Sequence, residues 1–361
     1  MKVLHIDTGS EWRGGQRQAL LLHEGLLENG VESYLSGNES GKLMKKCKKN
    51  CLPYTYKGEI NPISVINLKK IIKYVKPDIV HSHDAHSLTP PLILKYLGFE
   101  YKLVHTRRVD FHIKNSLMSR WKYNNKNIDS LVAISDAVKN ILISDGIKRP
   151  VEKIYSGLDR NFVVKFSDNK KNDLRRKLDI NPGDFVIGSV GNFVPHKDFE
   201  TLIRAFKLIY DEKKNVKLLL VGDGELLNDM KKLSEKLNIS ASVIFTGYAE
   251  NVGELMNIMD LYAATSQEEG LNTSVIEAMM HGLPVVATKA GGLPELVKDN
   301  YNGYLCNVKD YKGVADKSVI LLNNKEKMQR FSLNSLEISE EYGDKNMNEK
   351  YKNLYQKILS V

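Results

Sequence analysis

Two glutamates and a lysine in the second half of the chain follow apolar runs, where a sheet protein can hold a charged ligand. Glu269 lies in SQEEGLNTS, directly after the run LYAATS, and Glu277 lies in the helical pattern that begins there. One carboxylate is therefore predicted in a loop and the other near the start of a helix, whose N–H groups favour an anion. Thr273 or Ser274 is the predicted cap of that helix. Lys197 follows another apolar run, in SVGNFVPHKDF.

A glycine-rich loop lies near the start of the chain. Gly9 and Gly14 have the P-loop spacing G-x-x-x-x-G, but Gly15 and Gln16 stand where that motif needs Lys and Ser or Thr. The loop follows the run VLHIDT and precedes the helical pattern ALLLHEGLLENG. Gly14 and Gly15 therefore lie where helix N–H groups favour an anion and where the backbone can approach a ligand closely. A tight turn with positive φ is the alternative explanation.

Histidines cluster in two segments, DIVHSHDAHS and LVHTRRVDFH. Strand alternation points His81 and His83 to one face, and no second pair of ligands follows at a diagnostic spacing. We therefore predict no metal site.

Net charge is +9, and the segment GKLMKKCKKN holds five lysines without an acid. Positive charge also surrounds Trp121. A solvated basic face explains this pattern, and so does attraction to an anionic partner such as lipid headgroups or a phosphorylated glycan. No helix-turn-helix, zinc-finger or RNA-recognition signature is present, so no nucleic-acid partner is predicted.

Cysteine usage and hydropathy indicate the compartment. Cys47, Cys51 and Cys306 show no C-x-x-C spacing. We expect neither a disulfide framework nor a zinc site, and a reducing cytoplasm fits. The start MKVLHIDTGSEW is not expected to be a signal peptide, because Asp7 interrupts its short apolar stretch. The sequence contains no run of about 18 apolar residues, so no membrane span is predicted.

Short apolar runs alternate with helical patterns in two successive series. This alternation predicts parallel, doubly wound sheets in two domains. Two domains of ordinary size also fit a chain of 361 residues. The polar segment 165–184 separates the series, and the chain after Tyr311 is predicted to be helical. The predicted strands are VLHID, ESYLS, DIVHSH, YKLVHT and SLVAIS in the first series, and FVIGSVGN, KLLLVGDG, VIFTG, LYAATS, PVVAT and GYLC in the second.

The segment EEGLNTSVIEAMMHGLPVVATKAGGLPELV resembles the donor-site signature of glycosyltransferase family 4, the retaining GT-B enzymes. Weaker agreement covers most of the chain, including SVGNFVPHKDFETLIRAF and LLLVGDGEL. The resemblance implies an α/β GT-B fold, with two Rossmann-like parallel-sheet domains that face each other across a cleft. Residues 1–164 would form the acceptor domain and 165–344 the donor domain, with a C-terminal helix at about 345–361 packing on the first.

The resemblance also implies a donor site. Glu277 would bind the ribose hydroxyls and Glu269 would face the donor sugar. Lys197 would contact the diphosphate, although Asn192 stands where family members often carry an Arg. Gly247 and Tyr248 would lie by the base, and Gly14 and Gly15 would approach the donor diphosphate. The sugar or its phosphate would be held by the N–H groups of Leu271, Asn272, Thr273 and Ser274.

On the acceptor side, the resemblance gives His105 a catalytic place near the reaction centre. His83, Asp84, Arg107 and Arg108 would line the acceptor, and the arginine pair could bind phosphate or carboxylate. The chain contains no D-x-D motif, with which GT-A transferases hold Mn²⁺ or Mg²⁺. A donor site without metal or other cofactor is therefore expected.

The expected activity is transfer of a sugar, preferably from a UDP-sugar, to a cell-envelope glycan or glycolipid such as lipopolysaccharide core. The enzyme would be cytoplasmic and peripheral on an anionic membrane surface. A GT-B nucleotide-sugar 2-epimerase, which needs no acceptor, and a non-catalytic nucleotide-sugar binder are the alternatives. The intact set of Glu269, Glu277 and Lys197 argues against the binder.

Overall fold

A computed structural model describes residues 1–113, 116–160 and 163–360. The chain divides into two compact units. The first comprises Met1–Asp159 and the chain from Tyr342 onward, and the second comprises Arg160–Glu341. In the described residues, no helix combines the length and apolar character needed to cross a membrane.

The first unit is built on a seven-stranded sheet in which all neighbouring strands are parallel. Its strands are β1 (Lys2–Asp7), β2 (Glu32–Asn38), β3 (Cys51–Tyr54), β4 (Ile79–Ser82), β5 (Lys102–Arg107), β6 (Ser130–Ala133) and β7 (Val151–Lys153). Its helices are α1 (Gly14–Glu28), α2 (Lys42–Lys46), α3 (Pro62–Val75), α4 (Thr89–Tyr96), α5 (Leu117–Tyr123), α6 (Asp136–Ser144) and, from the end of the chain, α15 (Asp344–Leu359).

The second unit repeats this plan with a six-stranded parallel sheet. Its strands are β8 (Phe185–Val190), β9 (Val216–Val221), β10 (Val243–Gly247), β11 (Leu261–Ala264), β12 (Val285–Thr288) and β13 (Gly303–Cys306). Its helices are α7 (Asp168–Lys177), α8 (Phe199–Glu212), α9 (Leu227–Lys236), α10 (Val252–Met256), α11 (Thr273–Met280), α12 (Leu293–Leu296), α13 (Tyr311–Leu322) and α14 (Lys325–Ser339).

Strand order reverses once in each sheet. The orders are β3-β2-β1-β4-β5-β6-β7 and β10-β9-β8-β11-β12-β13. In Rossmann-type sheets, ligands bind beyond the carboxyl ends of the strands at this reversal, which here means β1 with β4 and β8 with β11. The predicted fold class of two Rossmann-like parallel-sheet domains is confirmed.

Apolar faces of helices form the core of each unit. In the second unit, Phe199, Ile203 and Phe206 of α8 are buried against the sheet. In the first unit, Tyr351 and Tyr355 of α15 are buried in the cluster that contains strand and α1 side chains. The last helix of the chain is therefore part of the first unit's core. Each large side chain that it buries contributes about 1.5–3 kcal/mol to stability.

Three local features differ from the sequence analysis. The edge strands β3 and β7 lie outside the predicted runs, because they are short and half-exposed and show no apolar alternation. The polar segment 165–184 contains α7, although none of that helix's residues is buried. Ser167 caps α7 and Asp168 lies in its first turn, while basic residues occupy its last turn, so capping and the helix dipole favour it.

The expectation that the cysteines form no disulfide is corrected at one place. Cys47 and Cys51 are joined by a disulfide between the end of α2 and the start of β3. Their Cα atoms are 6.0 Å apart, within the range that a disulfide spans, because the chain turns back between them. Cys306 is buried as a free thiol.

Gly222→Ala is expected to destabilise the second unit. Gly222 has φ of +137°, and a Cβ there would lie 2.0 Å from the carbonyl oxygen of Gly191. Strain and overpacking of this kind cost about 2 kcal/mol or more. Thermal unfolding followed by circular dichroism measures the change. Gly183→Ala is the matched control, since no heavy atom lies within 4 Å of the Cβ position. Equal melting temperatures for the two variants would contradict this account.

Candidate active site

The carboxyl ends of β8 and β11 bring Lys197 and Glu269 together. A short 3-10 turn, Pro195–Lys197, carries the lysine, and the loop after β11 carries the glutamate. Lys197 Nζ donates to Glu269 Oε2 in an ion pair whose side chains are 20% and 12% exposed. Partial burial reduces solvent screening, so the ion pair links the two loops.

The Glu269 carboxylate is also held by its own loop. Ser266 Oγ and Asn272 Nδ2 donate to the same oxygen over 3.2 and 3.1 Å. The Glu269 carbonyl accepts from the Gly292 N–H over 2.8 Å. These contacts fix the position and orientation of a carboxylate that stays partly accessible. Sequence reasoning missed Ser266 and Gly292, because their proximity to Glu269 depends on the loop conformation.

Helix α11 begins at Thr273, the residue that is itself one of the two predicted caps. Asn272 is the N-cap, and its Oδ1 accepts from the N–H groups of Ser274 and Val275 over 3.1 and 3.2 Å. The predicted cap at Thr273 or Ser274 is wrong, because both residues already lie in the helix. The Ser274 N–H is therefore already used by the helix cap. The Asn272 side chain caps α11 through its oxygen and holds Glu269 through its amide nitrogen.

The remaining predicted donor residues lie at the same edge of this sheet. Glu277 is partly buried on α11, and a Cβ on Gly253 would lie 3.6 Å from its Oε1. Gly247 ends β10 with φ of +72°, and Tyr248 beside it is 70% exposed.

Tyr262 of β11 is a supporting residue that sequence reasoning missed. It is fully buried, and its hydroxyl accepts from the Val190 N–H over 3.1 Å. It therefore ties β11 to the end of β8, directly before the loop that carries Lys197. The sequence shows only a tyrosine within a predicted strand, and this position does not reveal which group its hydroxyl contacts.

In the first unit, Asp7 shapes the glycine-rich loop. Asp7 is fully buried at the end of β1, and its Oδ1 accepts from the Gly9 N–H and Gln16 Nε2 over 2.9 and 2.8 Å. A Cβ on Gly9 would lie 2.4 Å from Gln16 Nε2, so a larger residue there would have to displace the Gln16 side chain from Asp7. Helix α1 begins at Gly14, and its first N–H groups, those of Gly14 and Gly15, have no protein partner in the described structure.

Asp84 joins that loop to the loop after β4. Its carboxylate accepts from the Thr8 N–H and Thr8 Oγ over 2.7 and 2.9 Å. The same carboxylate accepts from the N–H groups of His86 and Ser87 over 2.8 and 3.0 Å. The predicted acceptor-side residue Asp84 thus lies at the sheet reversal, where its hydrogen bonds hold two loops together.

His105 and Arg107 lie at the carboxyl end of β5. His105 is buried, and a hydrogen bond of 2.7 Å joins its Nδ1 to Ser82 Oγ. Burial, together with the cations of Lys122 and Arg107, lowers the pKa of His105 to about 3. Arg107 Nη1 donates to the Tyr123 hydroxyl over 3.3 Å, and its Nη2 donates to the Phe111 carbonyl. His105 is therefore a neutral imidazole at pH 7.

A buried histidine network lies beside this edge. His5 of β1 joins His81 and His83, and nitrogens of the three rings lie within 4.8 Å of one another. His5 Nδ1 and His83 Nε2 are 2.9 Å apart, and the rings of His81 and His83 are 4.0 Å apart between centroids. Sequence spacing placed His81 and His83 on one face but missed His5, because strand register decides that contact.

Hydrogen bonds already use every ring nitrogen of this network except His5 Nε2. His81 bonds to the Tyr355 hydroxyl and to Thr106 Oγ, each over 2.7 Å. His83 Nδ1 faces Arg108 Nη2 at 3.1 Å. A cation bound here would have to displace these partners and lie close to a guanidinium. The arrangement therefore fits a hydrogen-bond network better than a metal site.

Burial is the main cause of unusual protonation in this network. It lowers the pKa of His5, His81 and His83 well below the ordinary value, with smaller contributions from neighbouring histidines and Arg108. Burial and the nearby Asp84 raise the pKa of Asp7 to about 6. At neutral pH the histidines are therefore uncharged.

Acidification from pH 7.5 to 5.5 is expected to destabilise the first unit. The lowered pKa values mean that the unfolded chain binds more protons than the folded unit below about pH 6.5, so stability is lost as pH falls. Each buried histidine costs up to about 1.4 kcal/mol over this interval, and proton uptake by Asp7 offsets part of that loss. The histidines concerned are His5, His81, His83 and His105.

Urea unfolding followed by tryptophan fluorescence measures this effect, because Trp12 and Trp121, the only tryptophans in the sequence, both lie in the first unit. His112→Gln is the control outside the network, since its side chain is 73% exposed and contacts Asp145 instead, so this variant should still lose stability on acidification. Equal unfolding free energies at the two pH values would show that the buried histidines do not resist protonation.

Comparisons with known proteins agree with this geometry. The family model described as Glycosyltransferase Family 4 matches residues 12–162. The model described as Glycosyl transferases group 1 matches residues 170–337. The two matches lie one after the other and together cover both series of strands except β1.

Individual proteins are similar over most of the chain. The N-acetyl-alpha-D-glucosaminyl L-malate synthase of Bacillus anthracis is 28% identical, over 78% of this chain and 75% of the relative. The lipopolysaccharide core biosynthesis glycosyltransferase LpsE of Rhizobium meliloti is 29% identical, over 87% of each chain. The crystal structure of Anabaena Alr3699/HepE in complex with UDP-glucose has a TM-score of 0.88 at 22% identity, over 99% of this chain and 100% of that one. With a family model matching each half, the chain belongs to the group 1 and family 4 glycosyltransferases.

Proposed function

We propose that the chain is a retaining glycosyltransferase that transfers a hexose or related sugar from a nucleotide diphosphate sugar, with UDP-sugars favoured. The observation that carries this proposal is the ion pair of Lys197 with Glu269 at the carboxyl ends of neighbouring strands. A fixed carboxylate can bind sugar hydroxyls while the adjacent cation meets a diphosphate. The UDP-glucose bound to the Anabaena protein of the same fold supports the choice of donor.

The other donor groups have proposed places around this ion pair. Glu277 binds the ribose hydroxyls, and Gly247 and Tyr248 lie by the base. The N–H groups of the segment 271–273 hold the sugar or its phosphate, whereas the Ser274 N–H serves the helix cap. The N–H groups of Gly14 and Gly15 in the first unit are proposed to bind diphosphate oxygens.

The proposed chemistry needs no nucleophile from the protein. The bond between the anomeric carbon and the diphosphate oxygen breaks, and the new bond to the acceptor oxygen forms on the same face of the sugar. The leaving phosphate takes the acceptor proton. Lys197 and helix N–H groups stabilise the charge that develops on the diphosphate, so we propose a donor site without a metal or cofactor.

His105 is proposed to contact the donor sugar near the reaction centre. With a pKa of about 3, its imidazole is neutral at pH 7 and is a poor general acid there. Its contribution is therefore a hydrogen bond to a sugar hydroxyl, with the ring held in place by Ser82. Asp84 and Arg107 support the acceptor side through the loop contacts described above.

The proposed acceptor is a cell-envelope glycan or glycolipid such as lipopolysaccharide core, a choice supported by the similarity to a lipopolysaccharide core biosynthesis glycosyltransferase of Rhizobium meliloti. The exposed lysines Lys45, Lys46, Lys48 and Lys49 lie at and after α2 of the first unit. Such a cluster attracts anionic headgroups. We therefore propose a cytoplasmic enzyme that binds peripherally to the inner face of the cytoplasmic membrane, a reducing compartment in which the Cys47–Cys51 disulfide would open to two thiols.

Glu269→Gln is expected to lower the turnover number for sugar transfer at least about a hundredfold, because it removes the charge that faces both Lys197 and the sugar. Nucleotide release from UDP-, GDP- and ADP-sugars, with and without bacterial lipid extract, measures this activity. Release from one donor that the extract enhances would support a transferase.

Glu268→Gln is the matched control, because Glu268 is the exposed neighbour of Glu269. It should keep wild-type activity. Full transfer activity in Glu269→Gln would refute the donor-site assignment. Conversion of the donor without an acceptor, to the 2-epimer of its sugar, would instead identify an epimerase.

Replacing Lys45, Lys46, Lys48 and Lys49 with Gln is expected to weaken vesicle binding about a hundredfold or more, since each lysine contributes about 1 kcal/mol near an anionic surface. Co-sedimentation with vesicles of phosphatidylethanolamine and phosphatidylglycerol measures the binding. The control replaces four exposed lysines of the second unit, Lys177, Lys231, Lys232 and Lys236. Equal loss in both variants, or no loss in the first, would contradict a membrane role for this cluster.

A further inference from the structure

Arg108 is a partly buried cation that only neutral groups contact. Its Nη2 lies 3.1 Å from His83 Nδ1, and its Nη1 donates to Ser156 Oγ over 3.4 Å. Its Nε is buried and has no hydrogen-bond partner. No carboxylate within the described residues forms an ion pair with it. A guanidinium removed from water is normally paired with a carboxylate. The buried Asp7 acts on Arg108 electrostatically but forms no ion pair with it in the described structure, so the guanidinium can still bind a ligand.

The tautomers of the neighbouring histidines follow from this contact. A guanidinium can only donate, so His83 Nδ1 accepts from Arg108. The proton of His83 is then on Nε2, which donates to His5 Nδ1 over 2.9 Å. His5 in turn carries its proton on Nε2, an atom that is buried and has no partner. The relay keeps both imidazoles neutral and presents only an acceptor to Arg108.

The charge lies next to an element that favours anions. A Cβ on Gly15 would be 3.7 Å from Arg108 Cδ, so the arginine side chain runs beside the start of α1. The first N–H groups of that fifteen-residue helix have no protein partner in the described structure. Asp7 lies in the same region, and its Oδ2 is buried without a partner. These groups can bind an oxyanion that also carries a hydroxyl or proton donor.

We propose that Arg108 binds an oxyanion in the first unit, and that His83 and His5 are positioning residues that orient Arg108 without neutralising it. This inference deepens the proposed function. Only the source of the oxyanion rests on that function, whereas the oxyanion site itself does not. That source is either the donor diphosphate or a phosphate or carboxylate of the acceptor. Arg107 is distinguished from Arg108 by its hydrogen bonds to the Tyr123 hydroxyl and the Phe111 carbonyl.

Two substitutions of His83 separate positioning from simple packing. An Asn side chain places its oxygen near the Nδ1 position and can still accept from Arg108. A Gln side chain places its amide near the Nε2 position, so it can reach His5 but not Arg108. We therefore compare His83→Asn, His83→Gln and Arg108→Gln, with Lys70→Gln on the exposed face of α3 as the charge control.

Calorimetric titration of the full chain with inorganic pyrophosphate provides the first readout. Arg108→Gln and His83→Gln are expected to raise the dissociation constant about tenfold or more, since a hydrogen bond to a charged group is lost or misplaced. His83→Asn and Lys70→Gln should bind as the wild type does. Wild-type affinity in Arg108→Gln would overturn the oxyanion site. Wild-type affinity in His83→Gln, beside a defect in Arg108→Gln, would overturn the positioning role.

Steady-state kinetics of nucleotide release provide the second readout and identify the source. A higher KM for the nucleotide sugar in Arg108→Gln assigns the oxyanion to the donor diphosphate. A higher KM for the acceptor extract alone assigns it to the acceptor. Unchanged values of both, in a variant that folds as judged by circular dichroism, would overturn the proposal. If no donor is turned over, the proposed activity fails, and the pyrophosphate titration still decides the role of Arg108.

Discussion

The ion pair between Lys197 and Glu269 connects the two loops from which the second unit's site is built. Its position follows from the sheet, because the reversal of strand order makes β8 and β11 neighbours although they are far apart in sequence. A partly buried ion pair has a desolvation cost, which here is offset by the hydrogen bonds of Ser266 and Asn272 to the same carboxylate. The carboxylate is therefore oriented before any ligand binds, as electrostatic preorganisation requires.

In the first unit, the partly buried cation Arg108 forms no ion pair among the described residues, unlike Lys197 in the second unit. Arg108 has no carboxylate partner in the described structure, and its contacts are an imidazole and a hydroxyl. The histidines can accept from it only while they are neutral, and burial lowers their pKa. The two units thus share one strand order, but one site is charge-paired and the other keeps a positive charge for a ligand.

The sequence predicted most strands and the edge at which the site lies, because buried parallel strands are continuous apolar runs and their carboxyl ends meet at one edge. It could not predict contacts that depend on register or loop conformation. His5 meets His83 through the pairing of β1 with β4. Asn272 rather than Thr273 caps α11, because both residue types are good caps and the loop conformation selects between them.

The anomeric configuration of the product tests the central claim most directly. Proton NMR can follow the anomeric signal of an α-linked UDP-sugar during incubation with the full chain and an acceptor extract. The account predicts that this signal is replaced by that of an α-linked glycoside while free UDP accumulates. A β-linked product would contradict retention of configuration, and an unchanged donor with every nucleotide sugar would contradict the transfer activity itself.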